Sequence, residues 1–287
     1  MRCHQCDLKK PIHGICIECE SEQEPLIIGT GTEQVEENLR IFFPDARILR
    51  MDRDTLHGKH ALSRMHNRIS KQEVDIVIGT QLVTKGHDFP EVTLVGVILS
   101  DLSLNIPDFR SSERTFQLLT QVAGRAGRGN KPGEVLIQTH NPRHHSLICA
   151  KGHDSYQFRE IEMEQRNNLR MPPNFSLSMI LCSSPSEERA EILARELDKK
   201  IRTILLDKKL TASTNLNNYH HSDGTANIIG PFEAPIKKLR NRFRWQLLLK
   251  ADNVRPLLNL LHLVFENPPA TKRNELIQID VDPHNLM

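Results

Sequence analysis

The chain has 287 residues, enough for one large domain or two ordinary ones, and 38% of them are apolar, sufficient to build a core in each. Charged residues make up 26%, but 38 Lys and Arg face 36 Asp and Glu, so a net charge of +2 neither demands nor excludes a nucleic-acid partner. No apolar run approaches the length of a bilayer span, and the opening Met1-Arg2-Cys3-His4-Gln5-Cys6 is not a secretory signal, so the expectation is a cytoplasmic protein without a membrane partner.

In chain order, the pattern predicts a short strand over 25–28, a Gly/Thr turn, and a helix over 33–43. A strand over 46–51 and a polar helix over 60–70 follow. Residues 74–78 and 93–99 are dominated by apolar residues and read as strands buried on both faces of a parallel sheet. A helix over 111–125 and a strand over 134–139 complete an alternating βα set, which implies a parallel sheet covered by helices. Residues 146–170 read as a charged helical connector, stopped by Met171-Pro172-Pro173 because proline cannot continue a helix. The remainder reads as a strand (175–181), a long helix (186–206), a polar loop (211–224), further strands, a helix (254–266) and a strand (276–281). That mixed order suggests a second α/β domain, α+β-like, with helices on one face of its sheet.

Four of the six cysteines crowd into the first 19 residues as two C-x-x-C pairs, Cys3/Cys6 and Cys16/Cys19. Each pair lets two thiolates grip one zinc ion from a tight turn, and two pairs complete a tetrahedral Cys₄ set. The alternative is that they hold no metal: Asp7 and Glu20 stand where such knuckles usually carry Gly, adding charge beside an anionic site. Cys149 and Cys182 are expected to be small buried residues.

Three further segments point to phosphate chemistry. Gly29-Thr30-Gly31-Thr32-Glu33 forms a strand-to-helix turn, whose helix start aims free N–H groups outward. Ile78-Gly79-Thr80-Gln81, then Thr84-Lys85-Gly86-His87-Asp88-Phe89-Pro90, follows a buried strand, where ligands bind in parallel sheets. Thr80 offers a hydroxyl there and Lys85 a phosphate contact. In Gln121-Val122-Ala123-Gly124-Arg125-Ala126-Gly127-Arg128-Gly129, helical spacing would put Gln121, Arg125 and Arg128 on one face. Two arginines so presented are suited to stabilising a transferring γ-phosphoryl group.

Together these segments resemble motifs IV, V and VI of superfamily 2 helicases. The Q-V-A-G-R-A-G-R form, with knuckles just ahead of G-T-G-T-E, resembles the PriA family of replication-restart helicases. Asp108-Phe109-Arg110-Ser111-Ser112-Glu113-Arg114 and the ending Asp280-Val281-Asp282-Pro283 are similar to that family too. The resemblance implies zinc knuckles over 1–22, a RecA-like second helicase lobe over 23–145, a helical connector over 146–172, and a C-terminal DNA- or partner-binding domain over 173–287. It implies ATP-driven 3′→5′ unwinding at stalled forks, with forked or single-stranded DNA, primosome proteins and single-strand-binding protein as partners. Gln121, Arg125 and Arg128 would act at the transition state, and Thr32, Glu33, Thr80 and Lys85 would contact DNA. No G-x-x-x-x-G-K-[ST] loop or D-E-x-H box occurs in these residues, so ATP and magnesium are expected only with a first lobe supplied from elsewhere. The family's acidic D-x-D after the central strand is reduced here to Leu99-Ser100-Asp101. The rival readings are a non-enzymatic DNA- or primosome-binding adaptor and a truncated product without activity of its own.

The densest positive segment, Lys237 to Gln246, contains no acid. Read as one strand, it places Arg240, Arg242 and Arg244 on one face for phosphate contact, and Phe243, Trp245 and Leu247 on the other, with Trp245 expected in the core.

Overall fold

The computed structural model describes residues 31–52, 61–80, 91–124, 126, 132–207, 226–272 and 274–286. They fall into two compact units. One comprises Asn105–Ser112 and the chain from Arg159 onward, the other 31–104 and 113–158. Among the described residues no helix is long and apolar enough to cross a membrane.

In the second of these, α1 (Thr32–Phe42) packs on a parallel ladder of β1 (Ile48–Met51) and β2 (Ile76–Gly79), joined by α2 (Ala61–Ser70). The register runs from Ile48 opposite Ile76 to Met51 opposite Gly79. Its entry is fixed by Arg47, which donates from its side chain to Asp75 Oδ1 at 2.7 Å and from its backbone to Oδ2 at 2.8 Å. The Arg47 hydrogen bonds hold the Asp75 carboxyl well below the usual carboxylate range.

A second parallel ladder pairs β3 (Leu94–Val97) with β4 (Glu134–Ile137). The expectation that the 93–99 strand is covered on both faces is not met among the described residues, because Leu94, Ile98 and Leu136 are exposed. Among the described residues the parallel strands form two two-stranded ladders. Between β3 and β4 lie the one-turn α3 (Asp101–Leu104) and α4 (Ser111–Ala123). The inward stripe of α4 is Thr115, Phe116, Leu119 and Val122, and Phe116 stacks flat on Phe158 with ring centroids 4.1 Å apart. Where one connector helix was expected there are two, α5 (His145–Lys151) and α6 (Ser155–Asn168). Gly152 closes the first, His153 takes a positive φ of 52°, and Asp154 restarts the helix by accepting from the Gln157 N–H at 2.8 Å.

The other unit is built on a four-stranded antiparallel sheet in the order β6-β7-β5-β8. Its strands are β5 (Ser176–Ser184), β6 (Ala226–Leu239), β7 (Arg242–Ala251) and β8 (Leu276–Val281). Two helices, α7 (Glu187–Asp207) and α8 (Val254–Glu266), cover one face. α7 buries Ala190, Leu193, Ala194, Leu197, Ile201 and Leu205, steps of three and four that form one apolar stripe. α8 starts where the Asn253 side chain accepts from the Arg255 N–H, and it buries Leu257, Leu260, Leu261 and Val264. These meet Ile180, Cys182, Trp245, Leu247 and Leu249 from the sheet. Each fully buried leucine contributes about 1.5–3 kcal/mol, so this layer carries the domain. The opposite face has its own smaller cluster, Leu177, Met179, Phe232, Leu248 and Leu286, with Phe109 packed against it. The strand β5 is therefore buried on both sides, and the helices lie on one face as the order of elements suggested.

Candidate functional site

Three groups of predicted residues are placed by this framework. The first gathers at the carboxyl ends of β1 and β2. Gly31 precedes α1 in an extended conformation and supplies no side-chain cap, so Thr32 opens the helix. The Thr32 hydroxyl donates to Asp52 Oδ2 at 2.8 Å, and Asp52 directly follows β1. Arg50 lies 3.0 Å from Glu33 Oε1, 3.1 Å from Asp52 Oδ2 and 3.6 Å from Glu36 Oε2. Burial works against the Arg50 charge, but the Glu33 hydrogen bond and the neighbouring carboxylates hold the guanidinium firmly protonated. Met51 pairs with Gly79, so exposed Thr80 follows the neighbouring strand at the level of Asp52. Thr32, Glu33 and Thr80 are thus brought to one edge, with Thr32 and Glu33 already engaged by Asp52 and Arg50. Lys85 lies outside the described residues.

The second group sits at the ends of β3 and β4. Leu99 has a positive φ of 53°, and its N–H donates to the Gln138 side chain at 3.3 Å. Asp101 accepts from Thr139 Oγ1 and from the His140 N–H, both at 2.9 Å. Burial opposes ionisation, but those bonds outweigh it and hold the Asp101 carboxyl below its ordinary value. This acid is a structural clasp between the two strand ends. Gln121 is exposed on α4, facing away from that helix's buried stripe. The helix expected to run to residue 125 ends at Ala123, and the Gly124 N–H bonds back to Thr120 O. Arg125 and Arg128 lie outside the described residues, as do Cys3, Cys6, Cys16 and Cys19.

The third group corrects the single basic strand. Residues 237–246 are the tip of a hairpin: Leu239 pairs with Arg242, leaving Arg240 and Asn241 as a two-residue turn. Both have positive φ, 49° and 59°, the pattern of the type I′ turn that matches strand twist. Alternation therefore never applied to Arg240, which is exposed on the turn. Arg242 is half-buried and donates to Ser183 O and Asn274 O at 2.8 Å and to Ser183 Oγ at 3.1 Å, pinning the approach to β8 onto the end of β5. Arg244 is buried, and that burial lowers its pKa. Phe243, Trp245 and Leu247 do face the helices, and Trp245 is a core residue as expected. Lys238 stands 4.6 Å over the Phe243 ring, and Lys237 pairs with Glu187 and Glu233.

Two features escaped the sequence reading. Asp52 was not singled out, although it follows β1 as Thr80 follows β2, and strand-end position was the available signal. Lys250 is buried on β7 with its Nζ donating to Leu169 O at 2.9 Å; burial, then the Arg170 charge, push its pKa down to about 8. Cys149 and Cys182 are buried free thiols, and burial raises the Cys182 thiol to about 12.

The family described as the primosomal protein N C-terminal domain matches residues 167–284, the antiparallel unit. The replication restart protein PriA of Bacillus subtilis is 37% identical over 289 aligned residues, covering 100% of this chain and 34% of the relative. The chain matches the C-terminal part of PriA. The PriA proteins of Synechocystis and Haemophilus influenzae are 37% and 34% identical, again across 100% of this chain, and 32% and 37% of their own lengths are covered. The chain therefore spans about a third of the length of these PriA relatives.

Proposed function

We propose that this chain acts as the second motor lobe and C-terminal DNA-contacting part of an ATP-dependent 3′→5′ helicase of the PriA type, working at stalled replication forks and in primosome assembly. The observation that carries the reading is the match along the entire chain to proteins named for replication restart. The gathering of Thr32, Glu33 and Thr80 at the carboxyl ends of two parallel strands supports it, since ligands of such sheets bind there. In this reading residues 23–145 are the RecA-like lobe. Gln121, Arg125 and Arg128 serve the transferring phosphoryl group, and Thr32, Thr80 and Lys85 follow the DNA backbone. Arg240 makes the phosphate contact of the C-terminal hairpin. Four thiolates, Cys3, Cys6, Cys16 and Cys19, are the donor set zinc prefers, and the bound ion would order the segment that carries them.

These residues contain no phosphate-binding G-x-x-x-x-G-K-[ST] loop, so ATP and magnesium belong to the reading only where a first lobe is present. The test is ATP hydrolysis and fork binding by the purified chain. The expected outcome is salt-sensitive binding of forked DNA without ATP turnover. DNA-stimulated turnover by the chain alone would overturn the division of labour, and no fork binding at low salt would overturn the DNA reading. Elemental analysis after dialysis checks the metal, with about one zinc per chain expected for a single Cys₄ site.

A further inference from the structure

α4 carries Gln121 and leads into the Q-V-A-G-R-A-G-R segment, and the turn that enters it is bonded to Leu286. Asp108 is buried, and its two carboxylate oxygens are divided. Oδ1 accepts from the Arg110 N–H at 2.9 Å, forming the turn that leads into α4, while its backbone O takes the Ser111 N–H at 3.0 Å. Oδ2 accepts from the Leu286 N–H at 3.3 Å, across 178 residues of sequence. Next to it, Phe109 packs into the cluster of Leu177, Met179, Phe232, Leu248 and Leu286 on the second face of the antiparallel sheet. The outer side of the Phe109 ring is met by the Arg166 guanidinium of α6 at 5.4 Å, itself fixed by Glu162 at 2.8 Å. The segment around residue 284 is in turn locked to β5, because Asp282 exchanges two bonds with Leu177. A buried carboxylate that joins a helix entrance to the segment following β8 is more than local capping: removing it unties two parts of the chain at once.

We propose that Asp108 and Phe109 are positioning residues that fasten the first turn of α4 to the C-terminal sheet, so that order in this helix, and the presentation of Gln121, depends on that sheet. The inference rests on the motor reading of Gln121 for its functional meaning, but its physical content stands apart from it. A perturbation of the sheet's second face then travels to the motif-bearing helix through covalent continuity at Ser111. The sequence marker at 108–114 bonds Leu286, and the one at 280–283 bonds Leu177 of β5.

Asp108→Asn tests it. An amide has one acceptor oxygen, so either the Arg110 or the Leu286 bond is lost while size is kept. Hydrogen exchange of backbone amides, read by segment in the whole chain, should accelerate about tenfold over 113–123, the effect of one lost buried hydrogen bond on local opening, with β5 and β7 unchanged. Phe109→Leu keeps apolar volume but removes the ring face under Arg166, and should speed exchange in α4 and in α6 together. Unchanged exchange in α4 in both variants would overturn the proposal. So would an equal rise in α4 and the sheet, which would make these residues simple contributors to stability. The motor reading fails by a different result: Gln121→Ala leaving ATP turnover intact in a sample where a nucleotide-binding lobe is present.

Discussion

The three arginines assigned to DNA from sequence divide into three physical situations, and substituting each should give a different signature. Arg242 supplies two charge-assisted bonds to carbonyls and one to a hydroxyl, and Ser183 beneath it is buried. Arg242→Ala strands those acceptors and should lower the urea-unfolding free energy by about 2 kcal/mol, the lower end of the charged-bond range because the guanidinium is half-exposed. Arg244 is desolvated, so Arg244→Met, similar in length and free of charge, should leave stability unchanged or raised. Arg240 is exposed on the turn, and Arg240→Ala should change stability by less than about 0.5 kcal/mol. In the proposed function its effect belongs to DNA. Losing one phosphate contact should flatten the plot of log affinity against log salt by about 0.7 for a single strand and about 0.9 for duplex. Fluorescence anisotropy on forked DNA across a salt series, with a urea curve for each variant, separates the cases. The reasoning is refuted if Arg244→Met flattens the salt slope as much as Arg240→Ala while folding normally. It is equally refuted if Arg242→Ala keeps full stability.

Other consequences are open to measurement. Lys250 has a folded-state pKa of about 8 against 10.5 for the free side chain. Between those values the unfolded chain binds the extra proton, so stability should rise with pH across that window by up to about 3 kcal/mol. Urea midpoints from below to above the window should show that rise, and Lys250→Met should abolish it. Gly230 has φ +109°, and an added Cβ would lie 2.9 Å from Gln246 O, so Gly230→Ala should destabilise by about 1–3 kcal/mol, read by calorimetry. Trp245→Ala, in the core beneath α7 and α8, should cost about 3–5 kcal/mol without flattening the salt slope of DNA binding per folded molecule.

The sequence made the long-period elements legible. The α7 stripe, the α8 stripe and the strand at 176–184 are dense apolar patterns whose period leaves one reading, and their helices-on-one-face layout follows from it. The 237–246 segment misled because a two-residue turn of Arg and Asn carries no glycine or proline to mark it. Charge hid the hairpin, and a continuous basic run passed for a strand. The connector was read as one helix because the break at Gly152-His153-Asp154 has a single weak breaker, while its decisive elements are a positive φ at His153 and a cap from Asp154. At the candidate site, the sequence placed Thr80 at the carboxyl end of a strand and Thr32 and Glu33 at a helix start, but not their meeting at one edge, which the β1–β2 register decides. Their engagement by Arg50 and Asp52 was not legible, because hydrogen-bond partners some twenty residues away are chosen by sheet register. The same holds for Asp108, whose partner is 178 residues distant.

The strand order β6-β7-β5-β8 also dictates when this domain becomes possible during synthesis. β5 leaves the ribosome first and takes an inner position, but one of its two neighbours, β8, is the final strand to appear, and Ser178 reaches Asp280 across 102 residues. Until residues 276–281 emerge, an apolar inner strand has an open edge, the kind of surface that pairs with other chains. Such long-range pairing is slow to close. Nascent chains stalled before β8 should therefore depend on chaperones, whereas the same chain released with β8 in place should not.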